Sequence, residues 1–126
     1  MGYRSDVTVV VYPDERDQDK YNTLKVLMGT TFKEVPFDDC MSWRDDKCVL
    51  VYKIMDMKWY DSYPEVQAFL RMLNVLANEV EEGAGIGGYN YEMVRLGEDA
   101  DDTEQSQAGE AVEYCISVTR DVSVDL

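Results

Sequence analysis

Residues 62–83, SYPEVQAFLRMLNVLANEVEEG, decide the fold. Val66, Phe69, Leu70, Leu73, Leu76, Ala77 and Val80 recur at three- and four-residue steps, the spacing of one buried helix face. Glu65, Gln67, Arg71, Asn74, Asn78 and Glu81 fall largely on the other side. Ser62 and Glu65 have the S-x-x-E spacing of a capping box, and Pro64 sits where a missing N–H costs nothing. Gly83 supplies a stop. A helix this amphipathic must lie on an apolar layer, and the flanking segments read as strands.

Upstream, residues 47–60 predict a long strand. Cys48, Leu50, Tyr52 and Ile54 face one way, and Val49, Val51, Lys53 and Met55 the other. Residues 38–47 read as a loop in which the pairs Asp38–Asp39 and Asp45–Asp46 flank Trp43. Residues 30–37 alternate, but Pro36 limits them to an edge strand at best. Residues 14–28 predict a first helix, capped by Asp14, burying Tyr21, Leu24, Leu27 and Met28 and stopped by Gly29. Residues 6–12 form a strand with Val7, Val9 and Val11 on one face and Val10 and Tyr12 on the other, the pattern of a central strand.

Downstream, residues 83–88 read as a glycine-rich connection, and residues 89–96 as a strand placing Tyr89, Tyr91 and Met93 together. Residues 97–110 are so polar and acidic that they predict a loop of low order. Val112, Tyr114, Ile116, Val118, Val122, Val124 and Leu126 all sit at even positions, predicting one long last strand bent at Arg120. The order predicts a single α+β domain over residues 1–126. Two helices would cover one face of a four- to five-stranded, mainly antiparallel sheet, ferredoxin-like or related.

Acids number 26 and bases 12 in 126 residues, for a net charge of −14. The excess is uneven: residues 1–75 carry net −3 and residues 76–126 net −11. Direct binding to nucleic acid or an anionic membrane is disfavoured, because either needs Lys and Arg against phosphate. A basic protein surface or a cation suits this charge better. Cys40, Cys48 and Cys115 form no C-x-x-C and fit a reducing, cytoplasmic setting. No run approaches the ~18–20 apolar residues of a membrane span.

Catalytic chemistry is thinly provided. There is no histidine, the commonest general base and metal ligand. Cys48 and Cys115 read as small core residues, and the acids around Cys40 would raise its thiol pKa. No cofactor is expected.

Glu79, Glu81 and Glu82 crowd the C-terminal end of the organising helix, where each costs a few tenths of a kcal/mol, up to roughly 1, against the macrodipole. Either this end is simply solvated, or negative charge is wanted there for a partner. Glu98, Asp99, Asp101, Asp102 and Glu104 extend the same acidity, and Trp43 is the aromatic expected to be exposed. Asp99, Asp101, Thr103, Gln107 and Glu110 also match the ligand spacing of a calcium loop. The turn glycine is missing, however, because Glu104 occupies its position. Trp59, Tyr60 and Tyr63 read as a core plug under a helix end, with an interface anchor as the alternative.

The opening MGYRSDV (residues 1–7) and the block KWYDSYPEV (residues 58–66) resemble small acidic proteins encoded by phages and prophages. The resemblance carries no activity and no functional residues. It implies a phage accessory protein acting in the host cytoplasm, of the kind that binds and blocks a host factor. Strongly acidic members of that kind resemble DNA mimics. The expectation is therefore a non-enzymatic, anti-defence or inhibitory binding protein facing a basic host protein. The alternatives are a homo-oligomeric assembly module whose charge serves solubility, and a calcium-binding loop protein.

Overall fold

A computed structural model describes residues 4–77, 86–99, 102–109, 112–113, 115–118 and 122–124. In chain order the elements are β1 (Ser5–Pro13), a 3-10 turn (Asp14–Arg16), α1 (Gln18–Gly29), a second 3-10 turn (Asp38–Cys40), β2 (Met41–Arg44) and β3 (Val49–Met57). There follow α2 (Pro64–Leu76), β4 (Tyr89–Gly97), β5 (Thr103–Ala108), β6 (Ile116–Val118) and β7 (Val122–Val124). The main sheet has the order β2-β3-β1-β4-β5, and every pairing in it is antiparallel. Its first four strands have the split βαβ arrangement expected of a ferredoxin-like sheet, with β5 added outside β4.

The alternation read in the sequence explains the packing. Val7, Val9 and Val11 of β1, Leu50, Tyr52 and Ile54 of β3, and Tyr89, Tyr91 and Met93 of β4 turn one apolar face toward the helices. Leu24 and Met28 of α1 and Val66, Phe69, Met72, Leu73 and Leu76 of α2 close over it. Trp59 is only 7% exposed and packs tilted against Phe37 and edge-on to Phe69, so the aromatic block before α2 plugs the core.

Several local expectations are corrected. Residues 30–37 form turns, not an edge strand, and the outer strand is β2. β2 is only four residues long and half polar, so it owes its extension to pairing with β3. Asp17, not Asp14, caps α1: its carboxylate accepts the Lys20 N–H at 3.0 Å. Glu15 and Arg16 have φ of 58° and 53°, which breaks the helix before Asp17. Asp14 instead accepts from Asn90 Nδ2 at 2.8 Å. Ser62 does not cap α2 either. The helix starts one residue later than a capping box needs, with Tyr63 at the cap and Pro64 in the first turn. The described part of this helix ends at Leu76, and residues 78–85 lie outside the described residues.

The acidic segment is also more regular than its composition predicts. Thr103–Ala108 is a strand, paired with β4 from Leu96↔Thr103 to Tyr91↔Ala108. The last strand is in fact a hairpin, because β6 and β7 pair with each other through Ile116↔Val124 and Val118↔Val122.

The sheet's second face is partly covered by this C-terminal segment. Val10, Tyr12, Val49 and Val51 pack there with Cys115, flanked by Ile116 and Val124. The attachment is polar as well as apolar. The Tyr12 hydroxyl donates to Glu92 Oε2 at 2.7 Å and accepts the Glu113 N–H at 2.7 Å. Glu92 is only 4% exposed, and its second oxygen accepts the Ile116 N–H at 3.2 Å. Arg16 lies 4.7 Å from the Tyr12 ring centroid, pairs with Glu113 at 2.6 Å and donates to the Lys47 carbonyl at 2.7 Å.

One core group contrasts with this network. The Tyr52 hydroxyl is sealed on the helix side and makes no hydrogen bond among the described residues. Burial, with Asp38 and Cys40 adding to it, pushes its pKa well up and keeps it neutral. Tyr52→Phe removes an atom that paid for desolvation without a partner, so it should stabilise the protein by about 1 kcal/mol. Urea denaturation measures this, and a loss of stability would show that the hydroxyl is bonded.

Candidate functional site

Strand direction decides where the acids meet. β1 begins, β3 ends and β4 ends at the same end of the sheet, as Ser5↔Met57 and Ser5↔Gly97 show. The β4–β5 turn closes there too, with the Gly97 N–H on the Asp102 carbonyl at 2.8 Å and the Asp102 N–H on the Asp99 carbonyl at 3.0 Å. Glu98 and Asp99 are exposed on this turn, and Glu104 follows it on β5. This end therefore collects Asp6, Asp56 and Asp61 from the first half of the chain beside Glu98, Asp99, Asp102 and Glu104 from the second.

Two clefts sit among these residues. One, of about 160 Å³, has three carboxylates on its wall, Asp6, Asp56 and Glu98, against Arg4. The other, of about 280 Å³, has Asp61, Asp102 and Glu104 against Arg95, with Trp59 and Tyr60 forming its aromatic side. Carboxylates thus outnumber guanidiniums three to one in each.

The arginines hold the acids in place. Arg95 grips Asp102 with two nitrogens, at 2.7 and 3.1 Å, and touches Glu104 at 3.4 Å and Ser5 Oγ at 3.0 Å. The Asp102 hydrogen bonds chiefly, with the charges of Asp102 and Glu104 adding, raise the guanidinium's pKa further. Arg4 donates its backbone N–H to Glu98 at 2.9 Å and its side chain to the Asp56 carbonyl at 2.8 Å. Asp56 has φ 53° at a bulge in the β1–β3 pairing, and the Asp6 carboxylate accepts its N–H at 2.8 Å. Such a bulge re-aims a side chain at a strand end.

The other expected residues fall elsewhere. Glu79, Glu81, Glu82, Asp101 and Glu110 lie outside the described residues. Trp43 is not the exposed loop aromatic expected. It lies on β2 opposite Leu50, so it faces α1, half-buried, edge-on to Tyr21 at 5.8 Å and near Lys25. It belongs to the opposite end of the sheet, as does Asp45. The Asp45 carboxyl is held below its usual range by the Lys25 ammonium first and the Tyr21 hydroxyl second.

Where it is described, the calcium spacing is not a loop. Thr103 and Gln107 are on one extended strand, roughly 13 Å apart at ~3.3 Å per residue. One ion needs all its oxygens within about 2.6 Å. Among the described residues no group of acids, cysteines or histidines is placed to hold a metal.

Nor do the thiols favour chemistry. Burial first, and the Glu92 carboxylate next, push the Cys115 thiol up to about 11, with Arg16 opposing. Burial and then Asp39 raise Cys40.

Reading the sequence alone misses Asp6, Asp56 and Asp61. The available signal was their place at strand ends that an antiparallel sheet brings together. Among the described residues no helix is long and apolar enough to cross a membrane. Compared with known proteins, the chain matches no family model, no curated protein and no solved structure.

Proposed function

We propose that this protein is a non-enzymatic binding module whose acidic end engages a basic surface on a partner protein. One observation carries the reading: acids from both halves of the chain converge on one end of the sheet, in excess over the arginines that brace them. A partner whose own basic groove grips nucleic acid suits such a surface. A host nucleic-acid-processing or defence protein, inhibited by DNA-like charge, is the natural case. Rim carboxylates of this kind speed encounter and make association salt-sensitive.

The test is capture of a partner from host lysate by wild type and by Glu98→Gln/Asp99→Asn. Both substitutions are at exposed turn positions. Capture should fall steeply between about 0.1 M and about 1 M salt, as the screening length shrinks from about 10 Å to about 3 Å. The variant should capture less at low salt. Capture indifferent to both salt and substitution would refute the reading. A mass that grows with protein concentration, whatever the salt, would favour assembly of copies through a sheet edge.

A further inference from the structure

The larger cleft at the acidic end is built differently from the surface around it. Trp59 is 7% exposed and held between Phe37, at 5.6 Å, and Phe69, at 6.0 Å, so its ring cannot swing away. Its indole N–H meets no acceptor among the described residues, yet the nitrogen is not sealed in the core. Trp59 lines the cleft. A rigid donor left without a partner at the wall of a cleft is an observation independent of the acids. Such a donor can take an acceptor brought by a ligand in place of solvent.

The carboxylates specify the rest of that ligand. Asp102 has both oxygens on Arg95. Asp61 is exposed and meets no cation among the described residues, and the side chain of Glu104 is 55% exposed, touching Arg95 only at 3.4 Å. Asp61 and Glu104 thus remain able to accept, and Tyr60 adds a half-buried aromatic surface. A volume of about 280 Å³ lies just under the roughly 300–1,000 Å³ of cofactor and drug-sized sites, so it suits one side chain. A planar cation that bonds carboxylates through a fork and stacks on aromatic rings is a guanidinium, not an ammonium.

Resting on the acidic-end reading, we infer that this cleft receives an arginine side chain of the partner protein, its guanidinium between Asp61 and Glu104 and the adjoining peptide carbonyl on the Trp59 indole N–H. The acidic end then steers the partner, and the cleft fixes its register.

The probe is the blocked tripeptide acetyl-Gly-Arg-Gly-amide, titrated into the full chain while the indole N–H resonances are followed by NMR. The chain has two tryptophans, and Trp43→Phe assigns the Trp59 signal. The Trp59 resonance should move saturably with the arginine peptide and stay put with acetyl-Gly-Ala-Gly-amide. Asp61→Asn/Glu104→Gln should weaken the arginine peptide about tenfold, the loss expected for desolvated charge pairs.

A still Trp59 resonance, equal shifts from both peptides, or wild-type affinity in the double variant would each overturn the inference. The two readings fail separately. If the arginine peptide does nothing while partner capture still depends on salt and on Glu98 and Asp99, the cleft assignment is wrong and the acidic end stands. If the peptide binds as described but capture ignores salt, Glu98 and Asp99, the reverse holds.

Discussion

Phe69→Ala should remove about 3–5 kcal/mol of stability, the range for deleting a fully buried phenylalanine. Phe69 is 0% exposed and sits edge-on to Tyr52 at 4.8 Å, Phe37 at 5.4 Å and Trp59 at 6.0 Å. Such pairs are worth about 0.5–1.5 kcal/mol beyond the area they bury. The hole would be hard to close. Tyr52 is fixed in the central sheet, while Phe37 and Trp59 come from separate segments. Domains of this kind have only about 5–15 kcal/mol in total, so the variant should be visibly destabilised at room temperature. Urea denaturation should show a lower midpoint with an unchanged slope. A loss under about 2 kcal/mol would mean that the surrounding rings collapse into the space. The Trp59 wall of the cleft would then be less rigid than its contacts indicate.

Tyr12→Phe should cost roughly 2–4 kcal/mol, because it strands a carboxylate oxygen and a backbone N–H at once. Glu92 would keep the Ile116 N–H and the Cys115 thiol but lose its phenol donor, and the Glu113 N–H would lose its acceptor. The contrast with Tyr52→Phe is the point of the experiment. Both substitutions delete one buried phenol oxygen, and the sign of the effect depends on whether that oxygen has partners. Tyr12→Phe should also raise amide exchange at Glu113 and Ile116 ahead of the rest of the sheet, since the Tyr12–Glu92 pair ties both to it. A loss below about 1 kcal/mol, or exchange rising equally everywhere, would show that Arg16 and the apolar contacts hold this segment unaided.

The central strands were legible because a two-residue alternation needs no knowledge of the partner strand. β1, β3 and β4 each present one apolar face to the helices, and the register follows. The edges were not legible for the same reason inverted. β2 is short, and β5, TEQSQA, has almost no apolar side chain. Both are strands because a neighbour offers its backbone. The C-terminal hairpin hid behind parity. Val122 follows Val118 by four positions, an even step, so a reversal between them leaves every valine at an even position. The helix caps were misplaced by one to three residues, since Asp14, Asp17 and Ser62 are all competent by type and only backbone dihedrals choose among them. At the candidate site the acidity of residues 98–104 was visible in composition. Its union with Asp6, Asp56 and Asp61 depends on strand order, and composition does not encode that.

The fifth strand has a consequence for the life of the polypeptide outside its folded state. A chain ending at Gly97 would leave the nine-residue ladder of Tyr89–Gly97, buried for most of its length, open along one side. Open apolar ladders template growth by fresh copies, toward filaments. Thr103–Ala108 closes that side and offers outward a rim of Thr, Glu, Gln and Ser, on which a filament gains little hold. During synthesis the ribosome must therefore deliver Thr103–Ala108 before the preceding strand is safe.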